Sequence, residues 1–240
     1  MFAALAGMAA VSCGHAPDGD ASRIVPEALT VSALPGGNGV LDVVALTLRR
    51  AGDRTEIYAA LENHGDTPAC DAAFAVELFD SAQQSQAAGI NGLLARSFYR
   101  RTDGSGAIAS CVAPGDVAMA AITDLTSEVA VADVSTIVYH CPYFALDVEP
   151  IAGLDVHALQ SLTRDGATAY AGTFVNQFDL TVSRAAVSVF PVNRVGRPLG
   201  MVSAIDSDDI GPEKSWDFQT DTTDEPGEAS AAYPTAALPN

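Results

Sequence analysis

Short runs in which apolar and polar side chains alternate dominate this chain. Val44, Leu46 and Leu48 alternate with more polar neighbours, which is the period-two pattern of a half-buried β-strand. After a short turn at residues 51–53 the alternation resumes over 57–62, so the pattern predicts a β-hairpin.

The same pattern predicts strands along most of the remaining chain. In the first half they lie at 74–79, 117–122 and 135–140. In the second half they lie at 154–163, 167–176, 182–190, 198–205, 216–220 and 229–233. Asp165-Gly166 is a strong signal for a type I′ hairpin turn between two of them. The stretch before Pro114 is less regular, and no amphipathic helix of convincing length is found.

The two halves of the chain correspond to each other. The same offset separates Asn63 from Asn176 and the turn at 52–53 from the turn at 165–166. The sequence AVELF, ending at Phe79, likewise matches AVSVF, ending at Phe190. Matches in the same order indicate a duplicated unit.

The predicted fold class is therefore all-β, with two tandem immunoglobulin-like antiparallel β-sandwich modules. About seven short strands per unit, with frequent turns, are typical of such sandwiches. The first module is predicted at 40–145 and the second at 152–236, joined by a connector with Pro142 and Pro150 at its ends.

The chain carries 12 basic and 30 acidic residues, which gives a net charge of −18. Such a surface repels phosphate backbones, so we expect no nucleic-acid partner. It also disfavours docking on anionic lipid through the protein's own charges. The acidity has two interpretations, a solvated soluble surface or the binding of divalent cations.

The first residues resemble an export signal. Met1–Ser12 is apolar and small, and Ala10-Val11-Ser12-Cys13 resembles a bacterial lipobox, in which the cysteine is lipidated. We predict a signal segment at 1–13, a flexible spacer at 14–39 and a lipid anchor at Cys13. By the same resemblance, Gly14 is compatible with sorting to the outer membrane of a diderm bacterium, and we expect a location at the bacterial outer membrane or cell surface. A cleaved soluble signal and a buried cytosolic helix are the alternatives, and residues 28–34 can add an edge strand.

If Cys13 is lipidated, Cys70, Cys111 and Cys141 remain, so at most one intrachain disulfide can form. Their spacing matches no compact zinc motif. An up-and-down tracing of the predicted strands places Cys111 and Cys141 at the same end of the sandwich. Cys111–Cys141 is therefore the preferred pair, and Cys70–Cys111 is the rival.

A basic and aromatic stretch stands out in this acidic chain. It consists of Arg96, Phe98, Tyr99, Arg100 and Arg101. Exposed arginine beside aromatic side chains is the composition of an interaction hot spot, which would suit a protein or glycan partner. The alternative is an ordinary edge strand whose arginines guard against aggregation.

Candidate metal ligands are confined to acidic loops. Asp206, Asp208 and Asp209 form a weak calcium candidate, since calcium prefers several oxygen ligands from loops. The spacing of a calcium-binding helix–loop–helix is absent, and a solvated surface loop is the simpler interpretation.

No catalytic constellation is recognisable. The four histidines accompany no nucleophile motif, and His140 and Cys141 are neighbours on a strand, so they point to opposite faces. We expect neither catalytic residues nor a cofactor. The favoured function is a binding or assembly module of the cell envelope. The alternatives are a structural stalk and, third, a hydrolase with an unrecognised carboxylate pair.

Several of these features resemble the FxLYD-type repeats of bacterial surface proteins and lipoproteins. The matching residues are Tyr58, Asn63, Gly65, Glu77-Leu78-Phe79-Asp80 and Pro114-Gly115, with Tyr170, Asn176 and Phe190 in the second half. Pro191 stands in place of the aspartate in the second half. The resemblance implies an extracytoplasmic β-sandwich and supplies no catalytic residues.

Overall fold

The computed structural model describes residues 29–34, 39–51, 54–126 and 131–238. The predicted signal segment, Cys13 and the first part of the spacer lie outside the described residues. Strands account for nearly all of the regular structure, with one 3₁₀ turn at Val131–Asp133. No helix among the described residues is long and apolar enough to cross a bilayer.

The strands fall into two sets along the chain. The first set comprises β1 Thr30–Ala33, β2 Leu41–Ala51, β3 Arg54–Asn63, β4 Ala69–Cys70, β5 Ala73–Asp80, β6 Ser85–Gly92, β7 Ser97–Arg101, β8 Ile108–Val112, β9 Val117–Thr126 and β10 Val134–His140. The second set comprises β11 Val148–Ile151, β12 Leu154–Arg164, β13 Ala167–Asn176, β14 Ser183–Val192, β15 Val202–Ile205, β16 Ser215–Gln219 and β17 Ala229–Ala237.

In the first half, two sheets enclose one core. The sheet β2-β3-β9 packs against the sheet β1-β10-β5-β6. Ile57 and Leu61 from β3 meet Phe74, Leu78 and Ile137 from the opposite sheet, and all five are fully buried. Removing these apolar side chains from water supplies the main stabilisation of the sandwich.

The second half repeats this arrangement. The sheets β12-β13-β16 and β15-β14-β17 enclose a core that includes Phe174, Val187 and Phe218. The hairpin β12–β13 turns at Asp165 and Gly166, whose φ angles of 53° and 83° are those a type I′ turn requires. The prediction of an all-β sandwich fold is confirmed.

Strand β3 is buried on both faces, unlike the half-buried strand that the sequence predicts. Ile57 and Leu61 point into the first core, while Tyr58 and Ala60 point away from it. This outer face packs against Phe190 and Tyr233 of the second sandwich. The two sandwiches therefore share an apolar contact surface between β3–β9 and β14–β17, which we call the inter-sandwich surface.

A small sheet, β11-β7-β8-β4, fills the corner between the two sandwiches. Its strands β7 and β8 come from the stretch that the sequence analysis leaves irregular, and β11 comes from the predicted connector. Phe98 of β7 belongs to the second core, where its ring meets the Phe178 ring edge-on at 5.3 Å. The predicted boundary at 145–152 therefore does not fully separate the two sandwiches, because Phe98 from the first half of the chain packs in the second core.

The predicted flexible spacer at 14–39 is wrong over residues 30–33. Thr30–Ala33 form β1, which pairs in parallel with β10 at the edge of the first sandwich. The edge strand that the sequence analysis allows at 28–34 is thus present. The backbone of Leu34 continues this pairing by donating a hydrogen bond to Tyr139 O at 2.7 Å.

The disulfide joins Cys70 to Cys111, so the preferred pairing of Cys111 with Cys141 is wrong and the rival is correct. Cys70 and Cys111 lie directly opposite each other on β4 and β8. Cys141 is buried in the first core. Burial, with a smaller contribution from Asp42, raises the pKa of the Cys141 thiol to about 12.

Two buried asparagines occupy matching places in the sandwiches. The Asn63 side-chain amide donates to Thr67 O at 2.9 Å and Val112 O at 2.8 Å, and its oxygen accepts from Gly65 N at 2.9 Å. The Asn63 side chain therefore ties the end of β3 to the following loop and to the segment that precedes the Pro114-Gly115 turn.

Asn176 repeats the arrangement. Its amide donates to Leu180 O and Ile210 O, both at 2.9 Å, and its oxygen accepts from Phe178 N at 3.0 Å. Both asparagines are fully buried.

Candidate functional site

The stretch from Arg96 to Arg101 lies between the two sandwiches, and the prediction of an exposed aromatic patch is wrong. Phe98 and Tyr99 are only 8% and 9% exposed. Because side chains alternate along β7, Phe98 points into the second core, while Tyr99 packs around the disulfide.

The arginines of this stretch make contacts within the molecule. The Arg96 Nε donates to Ala232 O at 3.0 Å, and its guanidinium lies 4.7 Å from the Tyr233 ring centroid. Arg100 lies 3.6 Å from an Asp179 carboxylate oxygen, which belongs to the second half of the chain. Arg101 pairs with Asp103 at 3.7 Å. The stretch joins the two sandwiches rather than forming a separate hot spot.

A cleft of about 420 Å³ opens beside Arg96 at the inter-sandwich surface. This volume falls in the range of small-molecule sites, which often lie where two domains meet. Its walls are mostly apolar, with Arg96 and Asp116 as the two charged residues. The apolar lining consists of Val44, Ala45, Ala60, Ala95, Cys111, Val112, Val117, Met119, Val192, Val195, Ala231 and Tyr233.

Hydrogen bonds hold the polar groups of the cleft in place. Asp116 accepts from the Ser97 hydroxyl at 3.1 Å, and the Tyr233 hydroxyl donates to Val117 O at 3.2 Å. Burial raises the pKa of Tyr233; the Arg96 charge opposes this shift and the Asp116 charge adds to it. The Tyr233 hydroxyl is therefore protonated at neutral pH and lies within electrostatic reach of both charges.

Sequence reasoning found only one member of this site. Arg96 stands out because it is basic in an acidic chain, whereas Asp116 is one of many acidic residues and Tyr233 lies in the other half. No local pattern links these three positions. Pairing within the first sandwich brings Arg96 near Asp116, and the contact between the sandwiches adds Tyr233.

A second polar cluster lies at the opposite side of the inter-sandwich surface. Arg49 forms an ion pair with Glu56, and the Tyr58 hydroxyl donates to Glu56 Oε2 at 2.7 Å. Glu225 of the second sandwich lies 3.8 Å from Arg49 Nη1, and Thr47 donates to Pro198 O. This cluster fixes the orientation of one sandwich on the other.

Tyr58 and Tyr170, which the sequence aligns, differ in the bonding of their hydroxyl groups. The Tyr58 hydroxyl bonds to a carboxylate, whereas the buried Tyr170 hydroxyl has no hydrogen-bond partner among the described residues. A buried hydroxyl without a partner costs about 1–3 kcal/mol, and a hydrogen bond to a charged group contributes about as much.

Phenylalanine at these two positions should therefore have opposite effects. We expect Tyr170→Phe to raise the free energy of unfolding by about 1 kcal/mol and Tyr58→Phe to lower it by about 2 kcal/mol. Urea-induced unfolding followed by tryptophan fluorescence would measure both. A change of the same sign in the two variants would contradict this description of the two hydroxyl groups.

The calcium candidate at Asp206, Asp208 and Asp209 does not gather into a site. The Asp206 carboxylate accepts a hydrogen bond from the Asp208 backbone N–H at 3.0 Å, which is a local turn contact. Nowhere among the described residues do three or more histidine, cysteine or acidic side chains group as metal ligands.

These features define the class of the protein, an all-β protein of packed sandwiches with a cleft between them. Neither a family model nor a curated protein matches the chain. Among solved structures it is similar to red sea bream transglutaminase, at 8% identity over 83% of this chain with a TM-score of 0.22. The match spans only 32% of the transglutaminase chain, and so low a similarity adds nothing to the fold described above.

Proposed function

We propose that this protein is a lipid-anchored extracytoplasmic binding or assembly module without catalytic activity. The observation that carries the binding role is the cleft between the sandwiches, whose apolar walls surround two charged groups of opposite sign. Fixed polar groups in a mostly apolar depression are the usual composition of a ligand site.

The disulfide supports the extracytoplasmic location. Disulfides persist in oxidising compartments and are rare in the cytosol, and Cys70–Cys111 is fully buried. The lipobox-like sequence ending at Cys13 supplies the proposed anchor.

Replacing the proposed lipidation site should detach the protein from the membrane. We expect the wild-type protein to partition into the detergent phase of a bacterial extract and Cys13→Ser to move to the aqueous phase. The reason is that two or more acyl chains add far more membrane affinity than this acidic surface can.

Cys141→Ser is the matched control, because it removes a cysteine without touching the proposed anchor. Mass spectrometry of the mature wild-type N-terminus gives the second readout. An unmodified Met1 would refute the anchor, and a cleaved but unlipidated N-terminus would establish the soluble alternative.

A structural stalk is the second candidate from the sequence. The inter-sandwich surface favours the binding role over the stalk, since a spacer gains length when its modules join only at their ends. Tyr58 and Met119 of the first sandwich instead pack against Phe190 and Tyr233 of the second. Within the described part of the chain, no geometric feature favours a hydrolase with a carboxylate pair.

We also propose that the two sandwiches descend from one duplicated module. The matching hydrogen bonds of Asn63 and Asn176 support this, because both donate to the carbonyl four residues ahead and accept from the amide two residues ahead. The resemblance to FxLYD-type repeats remains a prediction.

A further inference from the structure

We propose that the cleft binds a small zwitterion with an apolar side chain, namely a branched apolar amino acid or a short apolar peptide. This inference rests on the proposed binding function and assigns the chemical class of its ligand. Arg96 would receive the carboxylate and Asp116 the ammonium group, while the apolar side chain would lie against the aliphatic walls.

The position of Arg96 is suited to a carboxylate. Its Nε donates to Ala232 O and its Cζ lies over the Tyr233 ring, 4.7 Å from the ring centroid, so two contacts orient the guanidinium. No ion pair to a described carboxylate occupies its two terminal nitrogens. Arginine presents a planar fork of donors that matches the two oxygens of a carboxylate.

Asp116 supplies the complementary charge. It lies on the same cleft wall as Val117 and takes one hydrogen bond from the Ser97 hydroxyl, which leaves carboxylate lone pairs for an ammonium group. Tyr233 is in contact with Arg96 and within electrostatic reach of Asp116.

The apolar walls are exposed where a ligand side chain would cover them. Val195 is 77% exposed and Val44 is 49% exposed, and both line the cleft with Met119 and Val192. A branched aliphatic side chain would remove this apolar surface from water.

Net charge argues against a simple anion as the ligand. A protein with a charge of −18 repels anions as they approach, and Asp116 would repel a second carboxylate inside the cleft. A zwitterion carries no net charge, so it avoids the long-range repulsion and still satisfies both fixed charges.

Isothermal titration of the full-length protein in detergent with leucine and with leucyl-leucine tests the proposal. We expect saturable binding of at least one of the two. Because the ammonium and carboxylate groups are farther apart in the dipeptide, the tighter ligand indicates which separation suits Asp116 and Arg96. N-acetylleucine lacks the ammonium group and leucinamide lacks the carboxylate, so each should bind about tenfold or more weakly than leucine.

Two variants locate the binding. Asp116→Asn keeps the shape and the Ser97 contact but removes the charge, and Arg96→Gln removes the guanidinium; each should weaken binding about tenfold. Arg101→Gln, outside the cleft, is the matched control and should bind as the wild type does. Thermal melts would show that Asp116→Asn is folded.

Equal binding of leucine and its two blocked analogues would overturn the proposal, as would unchanged binding by both cleft variants. So would the lack of saturation by either zwitterion at about 10 mM. If the protein still partitions with its anchor in such a case, only the ligand class is refuted and the anchored location stands.

Discussion

Asn63→Ala should lower the free energy of unfolding by more than about 3 kcal/mol. The substitution removes three hydrogen bonds at once and leaves the carbonyls of Thr67 and Val112 and the amide of Gly65 without this partner. Val112 is buried, so its carbonyl keeps its full desolvation cost when the partner is lost, whereas Gly65 is half-buried and Thr67 is exposed. Alanine also leaves a void, because Asn63 is fully buried.

Asn176→Ala should cost a similar amount, since its side chain makes the corresponding contacts with Leu180, Ile210 and Phe178. The exposed neighbours Asp66 and Gln177 provide matched controls, and their alanine variants should change stability by less than about 0.5 kcal/mol. Urea-induced unfolding of the four variants would measure these differences. Asparagine variants as stable as the two controls would refute the anchoring role.

The second large effect is expected from the disulfide. Replacing Cys70 and Cys111 together with alanine should lower stability by about 4 kcal/mol, because the bridge closes a loop with a sequence separation of 41 residues in the unfolded chain. The same urea titration would measure this loss.

The pairing itself can be read from a tryptic digest under non-reducing conditions. Trypsin leaves Cys70 within residues 55–96 and places Cys111 and Cys141 together within 102–164. The structure predicts a disulfide cross-link between these two peptides. After further cleavage at Glu128, the fragment with Cys111 should remain linked to residues 55–96. An internal bridge confined to 102–164 would restore the pairing that the sequence favours.

Much of the strand pattern is readable from the sequence because one face of most strands is buried. Alternation identifies β2, β3, β5, β9 and β10 in the first half and nearly every strand of the second half. The Asp165-Gly166 turn is readable for a different reason, since both residues tolerate the positive φ that the hairpin demands.

The strands that the sequence does not reveal lack this alternation of apolar and polar side chains. Strand β6 reads SQAAGING, whose small and polar residues carry no alternation. Gly89 within it lies so close to β9 that an added Cβ would come within 2.7 Å of Leu125, so the close approach excludes the very side chains that would reveal a strand.

The missed strands also explain the wrong disulfide. The up-and-down tracing that favours Cys111–Cys141 counts no strand between residues 80 and 114, where β6, β7 and β8 in fact lie. Each strand reverses the direction of the chain, so counting these three strands changes the end of the sandwich to which Cys111 is assigned. That tracing puts Cys70 far from Cys111, although β4 and β8 are paired neighbours.

The cleft could not be predicted, because it depends on how one sandwich sits on the other. Tyr58 and Ala60 occupy the alternate positions of β3 that a single sandwich would expose to water. Only the presence of a second body explains why they are buried, and the sequence of one strand does not contain that information.

The apolar outer face of β3 and β9 makes each half of the chain a poor free-standing unit. A chain cut within residues 142–153 would expose Tyr58 and Met119 on one fragment and Phe190 and Tyr233 on the other. Each fragment would then expose an apolar surface that favours self-association. We therefore expect the two sandwiches to unfold together in one cooperative transition.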